Sequence, residues 1–321
     1  MRFNQNKPET ILVTGGAGYI FSAFLNKMVV KYPEWQFINF DALYPASLPE
    51  NISPSVQQAP NYIFVHGKLQ NELQVLELLR KYTPSVIIHA AAKSNVDESY
   101  MEPISYLHDN VIGTATLLDA VNRVGQSPLF LHVSTDEVYS HSVGETPNSE
   151  LSLLRPSNPY SSSKAAAEMC VMAYMQSYKL RVITVRPNNV YGPRHQYKLI
   201  PKFISLLRAG QKLPIHGDGS ARRSFLYIDD MVNAFELVLL KGQVGEIYNI
   251  ASRSEASVLD IAKKLIQMVR KTDKWEDYVT FARDRPFNDQ RYLISDTKLQ
   301  ALGFRQTMEL EDGLHQILNM Q

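Results

Sequence analysis

Thr10-Ile-Leu-Val-Thr14 is an apolar run of strand length that ends on Gly15-Gly16-Ala17-Gly18, and a helix-like stretch from about Ser22 to Val30 follows. A strand that feeds a helix through glycines commits the chain to a crossover connection, because a helix after a strand must pack back on the sheet. The same alternation recurs downstream. Gln36–Phe40, Tyr62–His66, Ser85–Ala90, Leu129–Ser134 and Leu180–Val185 read as further strands, and Leu69 to Lys81 carries leucines at helical spacing. The expected fold class is α/β: a Rossmann-type, doubly wound parallel sheet covered on both faces.

After Arg186 the pattern shifts to turn-rich pieces such as Tyr191-Gly-Pro193 and His216-Gly-Asp-Gly219, with two more helices near Val258–Lys271 and Glu309–Asn319. This predicts a smaller C-terminal α/β lobe. The expected division is 1–185 plus about 224–250 for the Rossmann domain, and 186–223 with 251–321 for the second lobe.

Glycine at 15 and 18 lets a backbone approach a pyrophosphate at a helix N-terminus. Asp41, at the end of the next strand, suits a ribose hydroxyl and repels a 2′-phosphate, which favours NAD over NADP. A tight turn with no ligand is the bland alternative. The formal net charge of +1 among 321 residues gives no global bias toward nucleic acid. Cys170, the single cysteine, fits a reducing compartment and lies in an apolar stretch, so a packed thiol is expected rather than a nucleophile. The polar stretch Met1–Glu9 and the lack of a long apolar run lead to the expectation of a cytoplasmic protein with no membrane partner.

Chemistry concentrates in Ser134-Thr135-Asp136-Glu137-Val138-Tyr139 and Tyr160-Ser-Ser-Ser-Lys164. On a helix Tyr160 and Lys164 share one face, where the lysine cation is expected to lower the phenol's pKa. Two adjacent carboxyls serve as acid and base only if their pKa values differ, and Asp136 is expected to be the neutral one. Solvated acids at a strand end are the bland reading of the same pair.

Together these residues resemble the extended short-chain dehydrogenase/reductase family. The glycine loop is similar to T-G-G-x-G-x-x-G, His89-Ala-Ala-Ala92 to H-x-A-A and Asn110-Val-Ile-Gly-Thr114 to N-x-x-G-T. Ser134-Thr-Asp-Glu137 resembles the S-T-D-E of nucleotide-sugar 4,6-dehydratases. Arg186–Pro193, Lys198–Phe203, His216–Gly219 and Asp284–Tyr292 extend the likeness to dTDP-glucose and UDP-glucose 4,6-dehydratases of the eukaryotic type.

The resemblance implies transient hydride transfer to bound NAD with loss of water, giving a 4-keto-6-deoxy sugar nucleotide. Tyr160, beside Lys164, would deprotonate the sugar 4-hydroxyl, whose oxygen Thr135 would bind. Glu137 would take the C5 proton and Asp136 would protonate the departing 6-hydroxyl. The cofactor positions implied are Gly15, Gly18, Tyr19, Ile20, Asp41, Leu69, Ala90, Ala91, Lys93, Asn110, Tyr160, Lys164 and Asn188. The substrate positions implied are Ser134, Asn189, Lys198, Leu199, Arg223, Asn249, Arg285 and Asn288. No metal is implied. A homodimer is, through the helices near Asn110–Val124 and Tyr160–Tyr178.

Departures cluster at the cofactor. Phe21 stands at the third glycine or alanine position, Lys68 where an aspartate would meet the adenine amino group, and Lys93 and Asn95 alter the pattern on the nicotinamide side. They predict weakened or reshaped NAD binding. They also keep two alternatives open: a related epimerase or decarboxylase, or a non-catalytic sugar-nucleotide-binding homologue.

Overall fold

A computed structural model describes residues 8–139, 141–142, 144–195, 198–283 and 289–320. Its strands are β1 (Thr10–Thr14), β2 (Gln36–Asp41), β3 (Tyr62–His66), β4 (Val86–His89), β5 (Leu129–Val133), β6 (Arg181–Pro187), β7 (Asn189–Tyr191), β8 (Leu213–His216), β9 (Arg222–Tyr227), β10 (Ile247–Ile250), β11 (Glu255–Ser257) and β12 (Val279–Ala282). Its helices are α1 (Tyr19–Lys31), α2 (Pro54–Gln57), α3 (Glu72–Tyr82), α4 (Val96–Met101), α5 (Pro103–Leu107), α6 (Gly113–Arg123), α7 (Pro159–Tyr178), α8 (Leu199–Arg208), α9 (Ile228–Lys241), α10 (Val258–Arg270), α11 (Thr297–Ala301) and α12 (Leu310–Met320).

The apolar runs form one seven-stranded sheet in the order β10-β6-β5-β4-β1-β2-β3, with every pairing parallel. The order reverses between β1 and β4, which opens a crevice beyond their C-terminal ends. Alternate side chains of each strand go to opposite faces. Ile11, Val13, Val86, Ile88, Leu129 and Leu131 join the core under α1 and α9. Leu12, Ile87 and Phe130 join the core under α3, α6 and α7. Each fully buried side chain of this size stabilises the fold by about 1.5–3 kcal/mol relative to exposure. A seventh strand, β10, extends the six expected. Its run of four residues includes Asn249, and only pairing with β6 makes it a strand.

Helix ends follow local chemistry. α1 begins at Tyr19 rather than Ser22 because Gly18 holds extended backbone (φ −68°) immediately before it. α3 begins at Glu72 rather than Leu69, where Asn71 caps it by accepting from the Gln74 N–H at 3.2 Å. Phe21 finds room by turning toward α9, its ring centroid 4.8 Å from Phe235 and 5.7 Å from Phe24.

Beyond β6 the chain builds a three-stranded sheet in the order β11-β9-β7 and a two-stranded sheet of β12 and β8. Among the described residues, no helix is long and apolar enough to cross a membrane. Cys170 is half-buried against the α3/α6/α7 core, and burial raises its thiol's pKa, which disfavours the reactive thiolate.

Candidate active site

The acid–base residues meet where β5 ends. After Val133 the chain turns through Ser134 and Thr135 into a 3-10 turn, Asp136–Tyr139, which puts Asp136 and Glu137 at the C-terminal edge of the sheet. Asn158 sets the start of α7. Its side chain accepts from the Ser161 N–H at 2.8 Å, while Pro159 occupies the first helical position, where the missing N–H costs nothing. Tyr160 and Lys164 therefore fall in the first turns of α7, facing β5, and the Lys164 ammonium donates to Val133 O at 2.7 Å. A buried Arg186–Glu168 pair, with Arg186 Nε donating to Glu168 Oε2 at 3.2 Å, ties α7 to β6.

The two carboxyls differ in burial. Asp136 is 2% exposed and its pKa is pushed up to about 7, by burial first and then by the charge of Glu137. Asn188 Nδ2 donates to its Oδ2 at 2.6 Å and Thr135 Oγ1 donates to its Oδ1 at 3.1 Å. Glu137 is partly exposed. Burial raises its pKa while the Lys198 and Arg223 cations oppose. Asn158 Nδ2 donates to Glu137 Oε2 at 3.2 Å.

The expected downward pull of Lys164 on the Tyr160 phenol does not prevail in this structure. Burial raises that phenol's pKa, the Glu137 charge raises it further, and only the hydrogen bond with Thr135 offsets them noticeably. Lys164 itself is lowered to about 8, chiefly by burial. Beneath it lie the buried imidazoles of His89 and His132. His89 bridges Thr14 Oγ1 and Thr114 Oγ1, each at 2.8 Å, and both imidazoles are held neutral by burial and by the neighbouring Lys164 charge.

Along the crevice, the glycine loop presents backbone. Gly15 has φ +74°, and a Cβ there would lie 2.7 Å from Ala91 Cα. Ala90 and Ala91 thus form the opposite wall, at the end of β4. Gly18 gives α1 no side-chain cap, and the first turn of α1 carries no acid, so its N–H groups are open to an anion. Asp41 Oδ2 accepts from the Ala17 N–H at 2.9 Å and Oδ1 from the Leu43 N–H at 2.8 Å. The Ser47 side chain also hydrogen-bonds this carboxylate, and burial raises its pKa. Tyr19 stacks on His195 at 3.9 Å and Ile20 packs on the core, while Leu69 is buried beside Gly113. Asn110 Oδ1 accepts from the Lys93 N–H at 2.7 Å and Nδ2 donates to Ser163 Oγ at 2.8 Å.

Two of the departures direct their ammonium groups to the surface. The Lys93 ammonium turns away to Ser105 Oγ (2.8 Å), Glu102 and Glu98. Lys68 is exposed, with its ammonium 5.5 Å from the Tyr44 ring centroid.

Of the substrate candidates, Lys198 precedes α8 and donates to Ser94 O at 3.0 Å, bridging the two sides of the crevice. Leu199 opens α8 and Asn189 opens β7. Arg223 lies over the Tyr292 ring at 4.8 Å. The Ser134 hydroxyl is buried without a hydrogen-bond partner among the described residues. Asn249 is fully enclosed. Its amide donates to Asn148 O and Ser295 O and accepts from Tyr139 OH, so its side chain serves the β10 edge within the fold. Arg285 and Asn288 lie outside the described residues.

Three residues beside Glu137 escaped the sequence reading: Asn158, Tyr292 and Asp289. Asn158-Pro159 was detectable as a helix start. Tyr292 and Asp289 fall in the Asp284–Tyr292 stretch that carries the resemblance, but nothing local in it marks either as a neighbour of Glu137.

The family model for GDP-mannose 4,6 dehydratase matches residues 12–317. A trifunctional UDP-glucose 4,6-dehydratase/UDP-4-keto-6-deoxy-D-glucose 3,5-epimerase/UDP-4-keto-L-rhamnose-reductase of Arabidopsis thaliana is 43% identical over 316 residues, covering 98% of this chain and 47% of the relative. The chain therefore spans about half the length of that relative. The dTDP-D-glucose 4,6-dehydratase of Mus musculus is 43% identical over 95% of this chain and 86% of its own. Among solved structures, the dTDP-glucose 4,6-dehydratase of Bacillus anthracis in complex with NAD superposes with a TM-score of 0.88 at 37% identity, covering 97% of this chain and 96% of that one. The Streptomyces venezuelae enzyme DesIV, a dTDP-glucose 4,6-dehydratase with NAD bound, gives a TM-score of 0.91 at 35% identity, covering 97% and 96%. With all but the first two residues of its sheet and the whole acid–base cluster inside the matched span, the chain belongs to the GDP-mannose 4,6 dehydratase family.

Proposed function

We propose that the protein is a nucleotide-sugar 4,6-dehydratase that converts dTDP-glucose or UDP-glucose to the 4-keto-6-deoxy sugar nucleotide with NAD held at the glycine loop. One observation carries this reading: Asp136, with its pKa pushed to about 7 by burial, adjoins the less buried Glu137, whose charge the Lys198 and Arg223 cations favour, beside Tyr160 and Lys164. The Gly15 cradle, the uncapped α1 N-terminus and Asp41 fit a dinucleotide. NAD there would accept the C4 hydrogen with its electron pair and return it to C6.

The remaining steps belong to side chains. Tyr160 takes the 4-hydroxyl proton, helped by the Lys164 cation, and Thr135 orients the 4-oxygen. The resulting carbonyl acidifies C5, whose proton passes to Glu137. Asp136, kept protonated by its dry setting, gives its proton to the 6-hydroxyl, and water departs. Lys198 and Arg223 supply cations for the nucleotide diphosphate. In this reading the 1–185 and 224–250 segments serve the cofactor, and 186–223 with 251–321 serve the sugar nucleotide.

A homodimer in the cytoplasm fits the same reading. Ile112, Met169, Met172 and Tyr178 stand exposed on the helices assigned to a dimer bundle. Light scattering at micromolar concentration should show twice the chain mass, and a monomer refutes that assembly.

Incubation with dTDP-glucose and with UDP-glucose, NAD present, should yield the alkali-dependent absorbance of a 4-keto sugar and a product lighter by one water. Product from neither substrate overturns the function. An unchanged mass points to an epimerase instead.

A further inference from the structure

A line of polar side chains runs from Glu137 toward the protein surface. Tyr292 OH lies 3.5 Å from Glu137 Oε2, at the outer limit of a hydrogen bond, and donates to Asp289 Oδ2 at 2.5 Å. Asp289 is 3% exposed, and its Oδ1 lies 3.7 Å from His141 Nδ1. The His141 side chain is 42% exposed. We propose that Tyr292, Asp289 and His141 form a proton relay between Glu137 and solvent, which delivers a solvent proton to C5 of the product.

The segments that carry the relay are tied together. Ser142 N–H donates to Arg291 O at 2.8 Å, and the Leu293 N–H donates to Ser142 Oγ at 2.9 Å, which hold His141 beside Asp289. Ser157 Oγ donates to Asp289 Oδ2 at 2.5 Å, and Arg223 covers the Tyr292 ring. Burial and the Glu137 charge raise the Tyr292 phenol's pKa, so Tyr292 passes protons without resting as a phenolate.

Each step balances. Glu137 gives its proton to the Tyr292 oxygen as the Tyr292 hydroxyl proton moves to Asp289 Oδ2. A half-turn of the Asp289 carboxyl presents that proton to His141 Nδ1, and the other ring nitrogen releases one to water. The reverse sequence brings a solvent proton to Glu137 and then to C5. No electrons move. The overall dehydration does not require this exchange, because the proton taken from C5 is chemically equivalent to the one C5 regains. The relay is therefore visible only as isotope.

The proposal rests on Glu137 as the C5 base, and the test separates the two claims. The wild type and the Tyr292→Phe and His141→Gln variants are run in deuterium oxide with unlabelled substrate. Product is trapped at low conversion by borohydride, and deuterium at C5 is measured by NMR. Wild-type product should be deuterated at C5. Product formed by either variant should carry roughly tenfold less, because a proton sequestered in a desolvated site returns to its own carbon. A generally disturbed site would slow turnover without changing that isotope ratio. His141→Gln alters an exposed side chain and so leaves folding intact. Wild-type deuterium content in the product of either variant overturns the relay, as does wild-type product without C5 deuterium. Absence of 4-keto product from the wild type overturns the function, and the relay with it.

Discussion

The acid–base pocket and the glycine loop lie at the same edge of one sheet, yet they are built from different materials. The pocket works through side chains whose charge states depend on burial: Asp136 is raised to about 7, Lys164 is lowered to about 8, and Tyr160 is raised. The loop works through backbone: the Gly15 turn, the open N–H groups of α1, and the Ala90–Ala91 wall. The difference bears on where this chain departs from the pattern it resembles. Phe21, Lys68 and Lys93 change side chains around a backbone cradle, and each finds a place away from it. A comparable change at Asp136 or Glu137 would remove the chemistry itself.

The comparison breaks first in the pocket. Glu137→Gln should lower kcat about 10²–10⁴-fold with KM nearly unchanged, because it removes a positioned base. Steady-state kinetics decide this, and a loss under threefold would show that another group takes the C5 proton. The acid gives a pH signature. Asp136 must be protonated, so kcat should fall as pH rises through about 7. The same shift has a stability consequence. A carboxyl raised in the folded state contributes stability that is full below its ordinary value of 3.8 and lost as pH rises through about 7. Asp136→Asn should flatten that slope in urea titrations between those two limits.

Phe21→Ala tests whether the ring is structural. Its burial between α1 and α9 predicts a loss of about 3–5 kcal/mol by chemical denaturation, with NAD affinity per folded molecule little changed. A selective loss of NAD binding would place Phe21 in the cofactor site. Gly15→Ala should cost about 1–3 kcal/mol of backbone strain and also weaken NAD, since its Cβ meets the Ala91 backbone. The smallest effect should come from Lys68→Asp. A recovered acceptor near the adenine end should tighten NAD by up to about tenfold, as one hydrogen bond contributes about 0.5–1.5 kcal/mol. Calorimetric titration measures it, and unchanged affinity would show that the cradle alone sets binding.

Most of the fold was legible because the strands read as continuous apolar runs, including the half-exposed edge strand β3. Thr10–Thr14 and Tyr62–His66 match the expected bounds residue for residue. β10 was not legible, because a four-residue run containing Asn249 has no strand character until β6 lies beside it. In the site, Asp136, Glu137, Tyr160 and Lys164 announce themselves through local spacing, which one turn or one helix face converts directly into proximity. Asn249 illustrates the limit. Its place in a matching stretch suggests a ligand, whereas three hydrogen bonds within the fold already occupy its amide.

The chain's own pattern determined the parallel sheet, the glycine turn and the residue types available for acid–base work, because each depends on near neighbours. Only the tertiary structure decided which carboxyl is dry, that burial outweighs the lysine at Tyr160, and that Tyr292 reaches Glu137 from 155 residues further along the chain. Desolvation and long-range contact depend on what packs around a group, and no local spacing records that.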